Sequence, residues 1–399
     1  MDTYRDEKRL LRYTYLFIVV CSLNLFIIKD PLDFGALIMG AVMIVLLAYT
    51  YFILRRFFPD GDKYIFIFSS MLTALGLVMI YRLDRGLAIK QIVWLILGIA
   101  IFIFIVVLVP ELKRFKKFKY IYMVLTLAFM AMATFIGTEI FGAKNWVYVG
   151  PISFQPSEFG KVFLILYLAA ALEEYENFKQ LIEPAFIVMV SLGFMILQRD
   201  LGTALMIFAI SLTMLYISTS KLKYILTCLA LFAIGATLSY FLFYHVRRRV
   251  LIWHDPWPYV GNESYQLVQG YYGIAMGGLF GSGLGLGHPE FVAVRESDLI
   301  FSVIAEEMGM LVGFAVLILH FLLFYRNIRG AIYAKSNFTK LLTVGLSTMI
   351  ATQTLVIVGG VTGFIPLTGI TLPLVSYGGT SLLITFISLG IIQKVSEGE

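Results

Sequence analysis

Hydrophobic residues occur along this chain in long, nearly uninterrupted runs. A run of about 17–25 apolar residues can cross the hydrocarbon core of a bilayer as an α-helix. The runs lie at 13–28, 34–54, 64–81, 89–109, 120–138, 157–173, 183–197, 202–219, 223–244, 301–325, 341–363 and 375–393. Because lipid cannot satisfy exposed backbone polar groups, the pattern predicts an all-α polytopic membrane protein with about twelve transmembrane helices.

The polar stretches between the runs suggest how the chain is organised. The sequence RRFFPDGDK at 55–63 separates the first two runs from the ten that follow. We therefore expect an N-terminal transmembrane hairpin at 1–60 and a transmembrane core at 61–399, with one large loop at about 245–300. The first run lacks an A-x-A-like cleavage site, so it is interpreted as an uncleaved helix.

Composition agrees with a membrane protein, and the placement of charge predicts its orientation. The chain has 399 residues, of which 60% are hydrophobic and only 14% are charged, whereas about 25% charged is typical of soluble domains. Most of the 31 Lys and Arg residues fall at the N-terminus or in alternate loops. Since cytoplasmic loops are enriched in these residues, both termini are predicted to be cytoplasmic and the loop at 245–300 external.

The stretch VGPISFQPSEFGK, at 149–161, places two ionisable residues just inside the sixth predicted span. Pro156 suits the first position of a helix, and Glu158 and Lys161 are then neighbours on one helix face. One interpretation is an intrahelical ion pair that neutralises both charges. The other is an internal polar site, because intramembrane ionisable groups are rare and usually face a cavity.

The predicted external loop begins with three consecutive arginines, Arg247, Arg248 and Arg249. Such a cluster suggests an anionic partner such as a lipid phosphate or diphosphate, although anchoring to lipid headgroups without chemistry also explains it. Upstream, Arg199 and Asp200 in QRDLGT are interpreted as a charged turn. The glycine-rich stretch at 273–287 lacks the Gly-Lys-Ser/Thr ending of a phosphate-binding loop and is interpreted as close packing or a flexible loop.

The stretch VRESDLIFSVIAEEMG, at 294–309, brings carboxylates to the edge of a span. If a helix begins near Asp298, then Glu306 lies about 12 Å further along its axis, so the two are not a close pair. Asp298 is expected at the membrane edge, within reach of water and of an external substrate; alternatively, it serves only as an acid at a helix N-terminus. Glu306 and Glu307 lie deeper and need partners such as Lys161 or a backbone dipole.

Several functional classes lack support in the sequence. The two cysteines, Cys21 and Cys228, lie inside apolar runs and give neither a disulfide framework nor a metal site. The four histidines are scattered, so no metal-binding motif is present, and nucleic-acid motifs are absent. The uncharged stretch GFIPLTGITLPLVSYGGTSLL, at 363–383, predicts irregular backbone at membrane depth, which is tolerated where it lines a cavity or is buried in protein.

Taken in order, these stretches resemble the SEDS family (shape, elongation, division and sporulation), the bacterial RodA/FtsW-type polymerases. The resemblance runs from about residue 64 to residue 394 through GAKNWVYVGPISFQPSEFGK, QRDLGT, the arginine-rich loop, ESDLIFSVIAEEMGMLVG and SYGGTS. It implies a ten-helix core with the N-terminal hairpin as an addition. The sequence departs from the family pattern at Asn145, Arg199, Ala293-Val294 and Glu296-Ser297.

The resemblance implies a peptidoglycan glycosyltransferase in the bacterial cytoplasmic membrane. It would polymerise lipid II and work with a class B penicillin-binding protein. Asp298 takes the place of the family's essential aspartate, and Glu158 and Lys161 take the places of its intramembrane acid and lysine. The same stretches contain further candidate binding or supporting residues, which are Arg295, Arg247, Arg248, Arg249, Asp255, Gln266, Glu306, Ser376, Tyr377, Gly378 and Gly379.

Three hypotheses for function follow. As a polymerase, the chain uses Asp298 as the general base, with Arg247–Arg249, Arg295 or Lys161 as cations for a leaving diphosphate. A divalent cation, Mg²⁺ or Mn²⁺, is a candidate for sharing that task, although the sequence shows no dedicated ligands. The alternatives are a lipid II flippase or transporter and a scaffold that only recruits a penicillin-binding protein.

Overall fold

The chain folds into a helical bundle in which every predicted apolar run forms a helix. The computed structural model describes residues 2–28, 31–140, 142–150 and 152–397. Its α-helices are α1 (Asp2–Ile27), α2 (Phe34–Phe57), α3 (Lys63–Leu83), α4 (Arg85–Leu108), α5 (Lys119–Ile136), α6 (Pro156–Leu172), α7 (Ile182–Leu197), α8 (Leu201–Thr219), α9 (Leu222–Leu242), α10 (Tyr244–His254), α11 (Tyr265–Gly277), α12 (Ile300–Ile332), α13 (Asn337–Val361) and α14 (Gly379–Val395). Short 3₁₀ helices lie at Leu112–Phe118, Phe178–Leu181, Trp257–Tyr259 and Pro289–Phe291.

The prediction of a polytopic all-α membrane protein is confirmed. All helices except α10 and α11 coincide with the twelve predicted runs. Within the described ranges, ten helices are long and apolar enough to cross a membrane. Helices α6 and α14 have 17 residues each, which is near the lower limit for a span.

A small antiparallel sheet, which the hydrophobic pattern did not predict, precedes α6. Its strands β1 (Thr138–Ile140), β2 (Ala143–Val149) and β3 (Ile152–Phe154) pair in the order β1-β2-β3, with Val147 opposite Phe154. The central strand, AKNWVYV, is rich in aromatic and β-branched residues, which pack well on a pleated surface. The strands are too short to alter the helical class of the fold.

Helices α3 and α13 form the centre of the bundle, since most of the side chains in each are buried. Gly76 in α3 faces the irregular segment between α13 and α14. A Cβ at this position would lie 2.4 Å from the carbonyl oxygen of Val375, so glycine is required for this approach. In contrast, α9 has no buried residue.

The helices cross back and forth between two ends of the bundle. At one end, Arg326 donates to Asp62 (3.2 Å), and the backbone N–H of Asp62 donates to Ser396 (3.1 Å). The other end, here called the loop end, comprises residues 137–140, 142–150, 152–155, 198–200, 243–299 and 362–378. The N-terminal hairpin is attached there by Asp33, which accepts from the Tyr81 hydroxyl (2.9 Å) and pairs with Arg85 (2.6 Å).

Candidate active site

Asp298 lies at the loop end, in the turn that leads into α12. The helix begins at Ile300, two residues after the predicted start, because Asp298 and Leu299 belong to the preceding turn. The side chain of Asp298 is half-buried, and its Oδ1 accepts a hydrogen bond from the Ser297 hydroxyl (2.8 Å). Burial raises the pKa of Asp298 to about 6, and the Ser297 hydrogen bond and the charge of Arg249 oppose that rise.

The segment between α13 and α14 fixes the backbone around Asp298. The hydroxyl of Ser376 donates to the carbonyl oxygen of Ser297 and accepts from the backbone N–H of Leu372 (2.8 Å). The backbone N–H of Tyr377 donates to the carbonyl oxygen of Glu296 (2.7 Å). These bonds hold both residues before Asp298, so Ser376 and Tyr377 position the carboxylate through the backbone.

The two glycines that follow are held against α4. Gln91 donates to the carbonyl oxygen of Ser376 (3.2 Å) and accepts from the backbone N–H of Gly378 (3.3 Å). A Cβ at Gly379 would lie 2.1 Å from the Trp94 ring nitrogen, a distance that leaves no room for a side chain. The prediction of irregular buried backbone here is confirmed, and these glycines act on the site by packing.

Arg249 supplies positive charge to this carboxylate. Its Nη1 donates to the carbonyl oxygens of Leu367 and Thr368, both at 3.4 Å, in the same segment that packs beside Asp298. Burial lowers the pKa of Arg249, and the nearby charges of Asp200 and Asp298 act in the opposite direction. The guanidinium is therefore bound to backbone carbonyl groups, and its charge acts on both carboxylates from nearby.

Asp200 is a site residue that the sequence interpretation missed. It is buried and caps α8 by accepting from the backbone N–H (3.0 Å) and the hydroxyl (2.9 Å) of Thr203. The Gln155 amide also donates to it (3.1 Å). The sequence pattern Asp-x-x-Thr at the start of an apolar run is typical of a helix N-cap, and it could have predicted the position of Asp200. Its neighbour Arg199 is exposed and pairs with Glu139 (3.4 Å), as expected of a charged turn.

Glu158 and Lys161 form the ion pair that one of the two interpretations predicted. The Lys161 ammonium donates to Glu158 Oε1 (2.7 Å) and lies 3.8 Å from the Met206 sulfur, and both side chains are buried. Within the described residues, the pair's polar contacts stay on α6 and α8. The helix that carries the pair is connected to the rest of the site by Gln155, its N-cap residue, because the amide of Gln155 donates to Asp200.

The three consecutive arginines do not act as one cluster, because successive residues of a helix point about 100° apart. Arg248 pairs with Glu263 and lies 4.4 Å from the centroid of the Tyr259 ring, whereas Arg247 is exposed. Only Arg249 reaches the Asp298 region. The other predicted candidates in this loop make local contacts. Arg295 donates to Glu296 and to the carbonyl oxygen of Pro289. Asp255 accepts from the backbone N–H of Trp257, and Gln266 is half-buried on α11.

Of the two kinds of partner predicted for Glu306 and Glu307, Lys161 is wrong, because it binds Glu158, whereas the backbone does supply N–H donors to both acids. Glu307 accepts from Arg82 Nε (3.1 Å) and from the backbone N–H of Gly285 (2.9 Å). Glu306 Oε1 accepts from the backbone N–H of His288 (2.7 Å). Both acids lie just before a break in α12 at Gly309, where φ is 84°, and they point toward the glycine-rich loop instead of toward α6.

Fold and site together define a multi-pass helical membrane protein with a carboxylate–guanidinium site at one end of its bundle. Comparison with known proteins identifies the family. The model of the FtsW/RodA/SpoVE cell cycle proteins matches residues 62–399. The chain therefore belongs to the FtsW/RodA/SpoVE family, which confirms the resemblance found in the sequence.

Relatives span nearly the whole chain. This chain is 34% identical over 384 residues to the peptidoglycan glycosyltransferase RodA of Mycobacterium leprae, and the match covers 90% of this chain and 82% of that protein. It is 32% identical to the probable peptidoglycan glycosyltransferase FtsW of Bacillus subtilis, covering 86% of this chain and 92% of that protein.

Solved structures share the fold. The crystal structure of RodA from Thermus thermophilus superposes with a TM-score of 0.65 at 28% identity, covering 85% of this chain and 97% of that one. A chain from a peptidoglycan synthase complex, studied for its coordination of polymerization and crosslinking, gives a TM-score of 0.73 at 29% identity. That match covers 84% of this chain and 97% of the other.

Proposed function

We propose that this protein is a peptidoglycan glycosyltransferase that polymerises lipid II into glycan strands at the outer face of the bacterial cytoplasmic membrane. The observation that carries the proposal is Asp298, a half-buried carboxyl group at the edge of the bundle with a raised pKa and Arg249 close by. A general base works best when its pKa lies near the operating pH. The relatives named peptidoglycan glycosyltransferases support the assignment of this chemistry.

The reaction uses Asp298 as its base. The 4-hydroxyl of a GlcNAc residue on one lipid-linked saccharide attacks C1 of MurNAc on the other. The hydroxyl proton passes to the carboxylate of Asp298 as the new C1–O bond forms. The bond from C1 to the diphosphate oxygen breaks with its electron pair, undecaprenyl diphosphate leaves, and this single displacement inverts the anomeric centre.

Negative charge grows on the departing diphosphate, so positive groups in a poorly solvated site stabilise the transition state. Arg249 is the first candidate, because its charge already acts on Asp298. Of the other cations predicted from the sequence, Arg247 is exposed. The remaining three are paired with acids: Arg248 with Glu263, Arg295 with Glu296 and Lys161 with Glu158. No group of three or more His, Cys, Asp or Glu suited to a metal ion occurs among the described residues. No step of the reaction is therefore assigned to Mg²⁺ or Mn²⁺.

The proposal also covers the orientation of the protein in the membrane, the position of the substrate's lipid chains, the partner protein and the N-terminal hairpin. Both termini face the cytoplasm, because the majority of Lys and Arg then lie inside. The isoprenoid chains of the substrate lie along grooves between helices, and a class B penicillin-binding protein cross-links the product. The N-terminal hairpin at 1–60 is an addition to a core at 61–399, in agreement with a family match that starts at residue 62.

The direct test is a polymerisation assay with the purified full-length protein, lipid II and, in a parallel reaction, a class B penicillin-binding protein. Glycan polymer should appear with time and be absent without the protein. A flippase would instead move labelled lipid II across vesicles without forming polymer. A scaffold would form the complex and give no polymer in either reaction, and either result would refute the proposal.

The pH dependence of polymerisation should show an acid limb near pH 6, because Asp298 accepts a proton only when it is ionised. Burial raises its pKa to about 6, so the rate at pH 5 should be about tenfold below the plateau. Arg249→Gln removes a charge that favours the ionised form, and it should therefore move the limb to higher pH.

The measurement is the initial polymerisation rate from pH 4.5 to pH 9 for the wild type and both arginine variants. Arg199→Gln is the matched control, since Arg199 is exposed at the same end and pairs with Glu139. Its acid limb should coincide with that of the wild type. Identical limbs for Arg249→Gln and the wild type would show that the guanidinium does not act on the base.

A further inference from the structure

A second polar site lies behind the proposed active site, between α11 and the start of α12. A cavity of about 140 Å³ opens there, and its lining includes Gln269, Tyr272, Met276, His288, Phe291 and Glu306. Glu306 is 5% exposed and its Oε1 is bound by the backbone of His288. Its second oxygen, Oε2, is buried and has no hydrogen-bond partner in the described structure.

That free oxygen lies beside α11, next to the wall of the cavity. Gly273, which also lines the cavity, is so placed that a Cβ would lie 3.4 Å from Glu306 Oε2. An unpaired buried carboxylate oxygen costs free energy unless a donor reaches it. Because the loop backbone already binds Oε1, the cavity beside Gly273 is the space from which a further donor could approach Oε2.

The neighbouring charges favour a cation as that donor. Glu306 and Glu307 are adjacent, and Arg82 is bound to Glu307 alone. His288, the basic side chain in the lining of the cavity, is exposed, and its ring bonds to Glu290 (3.0 Å). The two acids therefore share one buried guanidinium, and a positively charged group at Oε2 would balance the second.

The other residues that line the cavity favour an organic ammonium group over a metal ion. A metal ion needs several oxygen or nitrogen ligands, and the described residues contain no group of three or more acidic, His or Cys side chains that could hold one. Tyr272, Met276, Phe291 and Val292 instead present aromatic and apolar surface. Such walls suit an alkyl stem, and an aromatic face also attracts an ammonium group.

The geometry points to a binding site for a primary alkylammonium group, with Glu306 Oε2 as the acceptor and the walls of the cavity around the alkyl stem. This site is separate from the chemistry at Asp298 and does not depend on the proposed glycosyl transfer. Two sources could supply such a group, which are an ethanolamine lipid headgroup and an amine of a bound protein or peptide.

The experiment is calorimetric titration of the full-length protein in detergent with n-butylammonium, without lipid II. The wild type should bind it saturably at one site. Glu306→Gln should bind it about tenfold more weakly, because a neutral amide oxygen accepts a weaker hydrogen bond from an ammonium group than a carboxylate oxygen does. The substitution keeps an acceptor for the His288 N–H, and an unchanged thermal unfolding temperature should show that the variant is folded.

Three comparisons make the result specific. Tyr272→Leu should weaken binding several-fold, whereas Glu290→Gln, an exposed carboxylate at the rim, should leave it within about twofold. Tetramethylammonium, which has no N–H donor, should not compete. Equal affinity of the wild type and Glu306→Gln, or no saturable binding to the wild type, would overturn the inference and leave water as the partner of Oε2.

Repeating the titration with the protein in lipid nanodiscs identifies which of the two sources supplies the ammonium group. Competition by phosphatidylethanolamine and not by phosphatidylcholine would assign the site to a lipid headgroup. Binding of n-butylammonium that neither lipid reduces would assign it to an amine of a protein or peptide. Because no polymerisation is measured, failure of this inference is distinct from failure of the proposed function.

Discussion

Asp298→Asn is expected to fold like the wild type and to lose about 10³-fold of the polymerisation rate, a loss within the range of general-base catalysis. The amide keeps the size of the side chain and can still accept from the Ser297 hydroxyl. It cannot take a proton from the attacking sugar hydroxyl. Since burial already disfavours the charged form of Asp298, removing the charge should not lower stability.

The measurements are the initial rate of glycan formation at pH 8 and the thermal unfolding temperature in the same detergent. Glu290→Gln is the matched control, because it neutralises an exposed carboxyl group of the same loop and should retain the wild-type rate. Polymer formation by Asp298→Asn at a rate close to that of the wild type would refute the role of Asp298 as the base.

The loop-end geometry explains why an acid at the membrane edge suits this chemistry. The lipid II proposed as substrate is half isoprenoid and half saccharide, so its reacting atoms lie where hydrocarbon gives way to water. Ser376 and Tyr377 hold Asp298 at the loop end, because they bind the backbone of the two residues before it. The same segment carries the carbonyl groups that bind Arg249. One irregular stretch between α13 and α14 therefore positions both the proposed base, Asp298, and the guanidinium of Arg249.

The helices were predictable because the signal for a membrane span is local. Each of the twelve apolar runs is a helix, and the uncharged, proline-broken stretch at 363–378 is irregular as expected. The break in α12 at Gly309 was not predicted, because the apolar pattern continues through it and a single glycine is tolerated in many helices. The short strands β1–β3 were missed for a related reason, since three to seven residues give little periodicity.

The pairing of charged residues was much less predictable. Glu158 and Lys161 are three residues apart, so helical geometry alone predicted their contact. Arg82 and Glu307 are separated by 225 positions in the sequence, and no local pattern connects them. Sequence reasoning therefore identified Asp298 but missed Asp200. For Glu306 and Glu307 it offered Lys161, which is wrong, or the backbone, which does donate to both acids.

The ion pair between Arg82 and Glu307 closes the glycine-rich loop onto the break in α12. The backbone N–H groups of Ser282 and Gly283 donate to the carbonyl oxygens of Glu306 and Glu307, both at 2.9 Å. Arg82 Nη2 donates to the carbonyl oxygens of Gly285 and Gly287, both at 3.3 Å. The side chain of Glu307 is completely buried and that of Arg82 is 19% exposed.

Glu307→Ala should therefore lower the free energy of unfolding by about 3 kcal/mol, because it leaves a largely buried guanidinium without its counter-ion and the Gly285 N–H without an acceptor. Reversible unfolding in mixed detergent micelles measures this loss. Glu139→Ala is the control, since its pair with Arg199 is exposed on both sides and should contribute less than about 1 kcal/mol.

The double variant Arg82→Met/Glu307→Leu separates the charge from the packing. It removes both charges and fills the space with apolar groups, so it should be more stable than Glu307→Ala alone, although it carries one substitution more. The double variant should still have a lower free energy of unfolding than the wild type, because the carbonyl groups of Gly285 and Gly287 lose their hydrogen bonds from Arg82. If the double variant is as unstable as the sum of its single substitutions, the two side chains act independently and the loop is held by its backbone hydrogen bonds.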